Sequence, residues 1–179
     1  MFLIRNRIRS LPDNLEEISP WIRILDLRWN NLNVLNPSVK FLQNLVVLNL
    51  AMNRLEELPD GIGDLSSLRT LDVNENRLIT LPESIGNMKN LQHLCVAKNQ
   101  LTTIPKSLRF CCSLETLILD YNNLSTFPSW ICSLGTEFEL SITNNNLSFF
   151  PMVPVIKLYN SIGFAKRKIG PLSGIRLWE

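Results

Sequence analysis

The sequence has few of the residues that build metal centres, disulfide frameworks or phosphate-binding loops. It contains one histidine, His93, and four cysteines, Cys95, Cys111, Cys112 and Cys132. Their spacing matches neither a zinc site nor a disulfide framework, and no glycine-rich phosphate loop is present. We therefore expect no metal and no cofactor. Cysteines without a pairing pattern favour a reducing, cytoplasmic location.

Long apolar runs and a strong charge of one sign are also absent. No run approaches the roughly 20 residues that span a bilayer. The apolar start, Met1 to Ile4, gives way to Arg5, Arg7 and Arg9 and is too short for a secretory signal. Residues 1–150 carry 13 basic and 15 acidic side chains, whereas residues 151–179 carry five and one. This balance predicts no membrane span and does not favour a nucleic-acid partner.

What the sequence does contain is a period of 23 residues. Asparagines mark it at Asn30, Asn53, Asn76, Asn99, Asn122 and Asn145. Apolar residues lie five and three positions before each asparagine and two positions after it, as Leu48, Leu50 and Leu55 do around Asn53. An apolar residue followed by proline closes most units, and an earlier unit at Asn6 fits the pattern one residue out of step.

Each position of the unit has a physical reason. Leu48-x-Leu50 alternates as a short strand does. An asparagine side chain offers two donors and an acceptor, which can satisfy backbone groups at a buried turn. Proline suits an irregular return arm because it lacks an amide hydrogen. A single unit cannot bury its apolar side alone, so the units are expected to stack.

This pattern resembles the 23-residue leucine-rich repeat of intracellular proteins, over about residues 1–151. The segment Leu58-Pro59-Asp60-Gly61-Ile62-Gly63-Asp64-Leu65 is similar to repeats of Ras-suppressor and Soc-2-like scaffolds and of some RING-type ubiquitin ligases. The resemblance implies an α/β-type repeat solenoid: a horseshoe with a parallel strand ladder on the concave face and loops and 3₁₀ turns on the convex face. The predicted organisation is a repeat domain over 1–151, with a partial first repeat and six full ones, and an aperiodic basic tail over 152–179.

Three features depart from the pattern. Leu35-Asn36-Pro37 displaces the proline by one residue, and Glu137 replaces a core leucine, with the adjacent Phe138 as a possible substitute. The chain also begins inside a repeat without a polar cap, which predicts fraying or self-association through the first strand.

Strand residues that point away from the core are expected to form columns on the concave face, free of packing constraints. The candidate partner-binding residues are Asp26, Arg28, Trp29, Asn49, Met52, Asp72, Glu75, His93, Lys98, Asp120 and Tyr121. Trp29 and Tyr121 stand out because large aromatics are enriched in binding hot spots. The aspartates would favour a partner with basic groups.

Other interpretations of these residues remain open. One alternative is that Trp29 covers an unshielded end of the array, and another is that the columns are an ordinary solvated surface. Asp72 with Glu75, or His93 with Cys95, are conceivable catalytic pairs, but an open ladder offers little desolvation and nothing orients the imidazole. We therefore expect no catalytic residues.

The function predicted from the sequence is a non-catalytic interaction module or scaffold in intracellular signalling. Its partner would be a protein, and the family resemblance implies a small GTPase or its effector. The alternative is a substrate-recognition or regulatory fragment of a larger enzyme such as a RING-type ubiquitin ligase. An extracellular receptor ectodomain is less favoured, because neither a secretory signal nor cysteine-rich caps are recognised.

Overall fold

The computed structural model describes residues 1–133 and 138–148, with side chains omitted at 132 and 133. Six short parallel strands form one sheet in chain order, β1 to β6. They are β1 Ile24–Asp26, β2 Val47–Asn49, β3 Thr70–Asp72, β4 His93–Cys95, β5 Thr116–Ile118 and β6 Glu139–Ser141. Every strand pairs with the next at a shift of 23 residues, as in Leu48 opposite Leu71. The repeat solenoid predicted from the period is confirmed.

A 3₁₀ helix on the opposite side of each unit returns the chain. These helices are η1 Leu15–Glu17, η2 Pro37–Phe41, η3 Asp60–Asp64, η4 Glu83–Asn87, η5 Lys106–Phe110 and η6 Ser129–Ser133. Prolines 59, 82 and 105 cap η3 to η5, whereas the displaced Pro37 is the first residue of η2. There the Asn36 side chain accepts a hydrogen bond from the Ser38 amide at 2.8 Å, so the shift is accommodated.

The core is a continuous column of leucines between the strands and the 3₁₀ helices. The central side chains of the strands, such as Leu48 and Leu71, are buried. The leucines two positions after the first five asparagines of the period are fully buried, whereas Leu147 is partly buried. Phe138 is also buried, as expected of a substitute for the missing leucine, while Glu137 lies outside the described residues. The predicted basic tail lies outside them as well.

The first unit continues the ladder without forming a full strand. Phe2 makes a parallel bridge with Asp26, and the Leu3 amide donates to the Asp26 carbonyl at 2.8 Å. The bridge spans 24 residues rather than 23, which accounts for the one-residue offset seen at Asn6. Met1 to Arg5 therefore form an additional rung beside β1.

Small residues let the 3₁₀ helices approach closely. A β-carbon added to Gly63 would lie 2.3 Å from the Ser84 carbonyl oxygen, and one added to Gly86 would lie 2.4 Å from that of Ser107. One junction further, the equivalent positions are Arg109 and Trp130, and neither is glycine. The close contact of η3 with η4 and of η4 with η5 therefore cannot be repeated between η5 and η6.

Candidate functional site

The candidate site is the concave face, where the parallel register aligns side chains into columns. The β1 residue Asp26 is in register with Asn49 of β2, and the same column continues through Asp72, Cys95, Ile118 and Ser141. His93 belongs to the column that starts at Ile24. The register thus places the predicted candidates on successive rungs of one surface.

The column that contains Trp29 and Tyr121 has a left-handed backbone at every rung. Positive φ angles between 52° and 59° occur at Arg5, Trp29, Met52, Glu75, Lys98, Tyr121 and Asn144. A left-handed conformation costs a residue with a β-carbon about 1–2 kcal/mol. The conformation is maintained because each amide donates to the next rung, as Trp29 does to the Ala51 carbonyl at 3.0 Å and Tyr121 to the Thr143 carbonyl at 2.9 Å. These side chains therefore project from a fixed backbone.

The asparagine that follows each of these residues joins two repeats. The Asn76 side-chain amide donates to the carbonyls of Leu50 and Val73, both at 3.0 Å, and its oxygen accepts from the Leu55 amide at 2.9 Å. The same three contacts recur in the other asparagines of the period: Asn30, Asn53, Asn99, Asn122 and Asn145. Buried backbone groups on both sides of the turn are thereby satisfied.

Two large aromatic side chains in the column with the left-handed backbone are half exposed. Trp29 is 49% exposed and Tyr121 is 55% exposed. The Arg5 guanidinium lies 5.4 Å from the centre of the Trp29 ring, within the range of a cation–π contact. Trp29 therefore packs in part against the first rung, as the covering role considered from the sequence requires, while half of its surface faces solvent.

Charged groups in the middle of this column pair with each other. Lys98 Nζ lies 2.6 Å from Glu75 Oε1. The hydrogen bond from Lys98 to Glu75 raises the pKa of the lysine above its usual value. The Lys98 and Glu75 side chains are 55% and 35% exposed, so solvent screens the pair and it adds little stability. The two charges cancel for an approaching partner.

The concave aspartates are bonded to their neighbours. Asp26 accepts from the Arg28 amide at 3.2 Å and forms an ion pair with Arg28 Nη2 at 3.2 Å. Asp120 accepts from the Ser141 hydroxyl at 2.8 Å and the Thr143 amide at 2.6 Å. The expectation that concave positions carry no packing constraint is wrong for Asp26, which is 5% exposed because the first rung lies against it.

Asp72 is bonded as well, but its burial has an energetic cost. It accepts from the Asn74 amide at 3.0 Å and from the Asn74 side chain at 2.8 Å. Desolvation raises the pKa of the Asp72 carboxyl above 3.8, and these hydrogen bonds only partly oppose that shift. Its partial burial and its hydrogen bonds make it a weaker attractor for a partner's cation than a freely exposed carboxylate.

His93 and Cys95 do not form a catalytic arrangement in the structure. His93 Nδ1 lies 3.3 Å from the Thr116 hydroxyl rather than beside the thiol. Burial raises the pKa of the Cys95 thiol to about 11, which disfavours the nucleophilic thiolate at neutral pH. Within residues 1–133 and 138–148, no cluster of potential metal ligands occurs and no helix is long and apolar enough to cross a membrane.

The N-terminal end of the face has a feature that the sequence analysis missed. Ile4, Arg5, Arg28 and Trp29 line a shallow cleft of about 300 Å³. Arg5 was not among the candidates, although it precedes Asn6 as Trp29 precedes Asn30. Applying the column offset to the out-of-step first unit would have identified it.

Comparison with known proteins gives consistent results. The leucine-rich repeat region family matches residues 3–136. A leucine-rich repeat protein of Leptospira interrogans is 33% identical with a TM-score of 0.78, over 87% of this chain and 39% of its own. The ectodomain of the Arabidopsis thaliana receptor kinase GASSHO1/SCHENGEN3, solved in complex with Casparian strip integrity factor 2, is 29% identical with a TM-score of 0.70, over 79% of this chain and 18% of its own. A TDR receptor is 30% identical with a TM-score of 0.73, over 82% of this chain and 26% of its own.

The chain spans less than two fifths of the length of each of these structures. No curated protein matches the sequence significantly. The fold is one that is typically used for non-catalytic protein–protein interaction. The similarity to Ras-suppressor scaffolds or to ubiquitin ligases receives no specific support, and the structural neighbours include receptor ectodomains.

Proposed function

Since the chain belongs to the leucine-rich repeat family, we propose that it is a non-catalytic module that binds a protein partner on its concave face. The observation that carries this proposal is the pair of half-exposed aromatics, Trp29 and Tyr121, in the left-handed column. Side chains on a fixed backbone lose little freedom on binding, and Trp and Tyr are enriched in hot spots.

The dimensions of the column fit a protein interface. Trp29 and Tyr121 are four strand spacings apart, which is about 19 Å at the usual spacing of about 4.8 Å. A standard interface buries about 800 Å² on each partner, and its core has a comparable width. Met52, Glu75 and Lys98 fill the rungs between the two aromatics, so a partner that reaches both also contacts them.

The cellular role that we propose is a scaffold in cytoplasmic signalling, with a small GTPase or its effector as the partner class implied by the sequence resemblance. Cys95, Cys111 and Cys112 are free thiols, which favours a reducing compartment. The proposed arrangement remains a repeat domain over 1–151 and a basic tail over 152–179. Fluorescence microscopy of the tagged chain tests the location, and secretion into the medium would contradict it.

The second candidate is the recognition part of a larger enzyme such as a RING-type ubiquitin ligase. The observation that favours it is the similarity of the segment Leu58 to Leu65 to repeats of some of these ligases. A longer product of the same gene that carries a catalytic domain would support this role. In that case the concave face would bind the substrate of the enzyme.

An alanine scan against a partner recovered by affinity purification tests the proposed function. We expect Trp29→Ala and Tyr121→Ala each to weaken binding by at least about 1 kcal/mol, or about five-fold in Kd, with the melting temperature nearly unchanged. The matched controls are Glu83→Ala and Lys106→Ala on η4 and η5, which should bind normally. Loss of binding in these controls, with normal binding by the aromatic variants, would place the interface elsewhere.

A further inference from the structure

We propose that the cleft formed by Ile4, Arg5, Arg28 and Trp29 binds a carboxylate side chain of an acidic segment in the protein partner. This inference rests on the proposed function, because it names the charge that the concave face recognises. It also reverses the expectation from the sequence, in which concave aspartates favoured a basic partner.

The first argument is the local charge at the N-terminal end of the face. Asp26 pairs with Arg28 and Glu75 pairs with Lys98. Asp72 and Asp120 accept hydrogen bonds from uncharged groups and lie two and four rungs beyond Asp26, outside the cleft. Across the described part of the chain, by contrast, no carboxylate pairs with Arg5, whose guanidinium contacts the Trp29 ring instead. The uncompensated charge at this end of the face is therefore positive.

The second argument is the number of available donors. A guanidinium has five N–H groups in a fork that matches a carboxylate. Arg28 contacts Asp26 through Nη2, and its side chain remains 46% exposed. Arg5 and Arg28 line the same cleft and thus present donors to one small volume.

The third argument concerns the walls of the cleft. The Trp29 ring and the Ile4 side chain are apolar, and Arg5 lies over the ring. An apolar surface beside a guanidinium strengthens its interaction with an anion by excluding water. The chemistry of the cleft therefore suits a glutamate or aspartate that is flanked by an apolar residue, within an extended segment.

The test uses the full 179-residue chain labelled with ¹⁵N and a short acetylated, amidated peptide in which two glutamates flank a leucine. The readout is the indole N–H resonance of Trp29, assigned by its loss in Trp29→Phe. We expect this peptide to shift the resonance saturably and the matched glutamine peptide to leave it unchanged. Equal shifts with both peptides would overturn the proposal.

Substitutions assign the effect to the two arginines. Arg5→Gln and Arg28→Gln should each weaken binding of the glutamate peptide by roughly five-fold, whereas Arg77→Gln, an exposed arginine outside the cleft, should not. Asp26→Asn should tighten binding by roughly two-fold, because it frees Arg28 from its carboxylate partner. The fold tolerates an amide here, since Asn49 in the same register accepts from the Ala51 amide at 3.0 Å.

Three further outcomes are decisive. If a phosphoserine peptide of the same design binds and the glutamate peptide does not, the cleft is a phosphate site and the proposal is wrong. If a purified partner is sensitive to Tyr121→Ala but not to Arg5→Gln or Arg28→Gln, the proposed function stands and this inference fails. If the glutamate peptide binds in the cleft but a purified partner loses binding only with Glu83→Ala and Lys106→Ala, the cleft assignment stands and the proposed function fails.

Discussion

At the scale of single residues, the repeating asparagine is held by hydrogen bonds to two repeats. Its side chain supplies hydrogen bonds that no backbone group can supply at the turn, and it serves two repeats at once. The contacts of Asn76 to Leu50, Val73 and Leu55 are all buried. This explains why the period is carried by asparagine rather than by another polar residue, since an aspartate lacks the donors.

We predict that Asn76→Ala lowers the free energy of unfolding by about 1–3 kcal/mol, because it leaves buried backbone groups without partners. Thermal or denaturant unfolding measures the change. The matched control is Asn90→Ala, which removes only an exposed hydrogen bond to the Ser66 carbonyl and should have little effect. Equal stability of Asn76→Ala and the unaltered chain would contradict this account of the asparagine column.

The left-handed column makes a second prediction at Tyr121. Tyr121→Gly should be more stable than Tyr121→Ala by up to about 1 kcal/mol, because glycine avoids the left-handed cost that alanine retains. At Thr102, where φ is not positive, the order should be reversed. Denaturant unfolding of the four variants tests the sign, and a more stable alanine at both positions would rule out strain at Tyr121.

At this scale the sequence predicted which side chains share a face better than it predicted the backbone conformation. The offsets of leucine and asparagine identified which side chains share a face, because those residues repeat by identity. The left-handed conformation was not predicted, since Trp29, Met52, Glu75, Lys98 and Tyr121 have nothing in common as residue types. The burial of Asp26 depends on the first rung, whose one-residue offset hides its alignment in the sequence.

At the scale of elements, how closely neighbouring 3₁₀ helices pack depends on the residue that faces each glycine. Gly63 lies against Ser84 and Gly86 lies against Ser107 without space for a β-carbon. The family resemblance implied 3₁₀ turns on this side, and they are confirmed. The closeness of their packing could not be predicted, because it depends on distances between repeats rather than on the residues within one.

We predict that Gly86→Ala destabilises the chain by about 1–3 kcal/mol, because η4 and η5 must separate to admit the methyl group. Gly61→Ala is a graded control, since its β-carbon would meet the Lys40 β-carbon at 3.0 Å rather than a backbone oxygen at 2.4 Å. Denaturant unfolding should therefore show a smaller loss for Gly61→Ala. The reverse order would contradict the packing described for η4 and η5.

At the scale of the whole molecule, exposed apolar side chains occur in the first two units of the array. Met1 and Phe2 of the first rung are 50% and 68% exposed, and Trp21 and Ile24 of the next unit are 83% and 41% exposed. Large exposed apolar patches promote association. Self-association through these side chains remains a prediction.

We expect the purified chain to self-associate as its concentration rises, and Phe2→Lys to reduce that tendency. Sedimentation velocity or light scattering at several concentrations provides the measurement. Phe110→Lys is the matched control, because Phe110 is an exposed aromatic on η5 at the outer side. A monomer at all concentrations, or equal effects of the two substitutions, would show that the first rung does not drive association.

The asparagine contacts also mean that equivalent residues on the concave face are separated by whole numbers of strand spacings. Each asparagine connects its repeat to the preceding one in the same way, so removing or duplicating one 23-residue unit would preserve the asparagine contacts between the remaining repeats. The separation of Trp29 and Tyr121 would then change by one strand spacing, about 4.8 Å. A partner that contacts both residues is thus sensitive to the number of repeats between them.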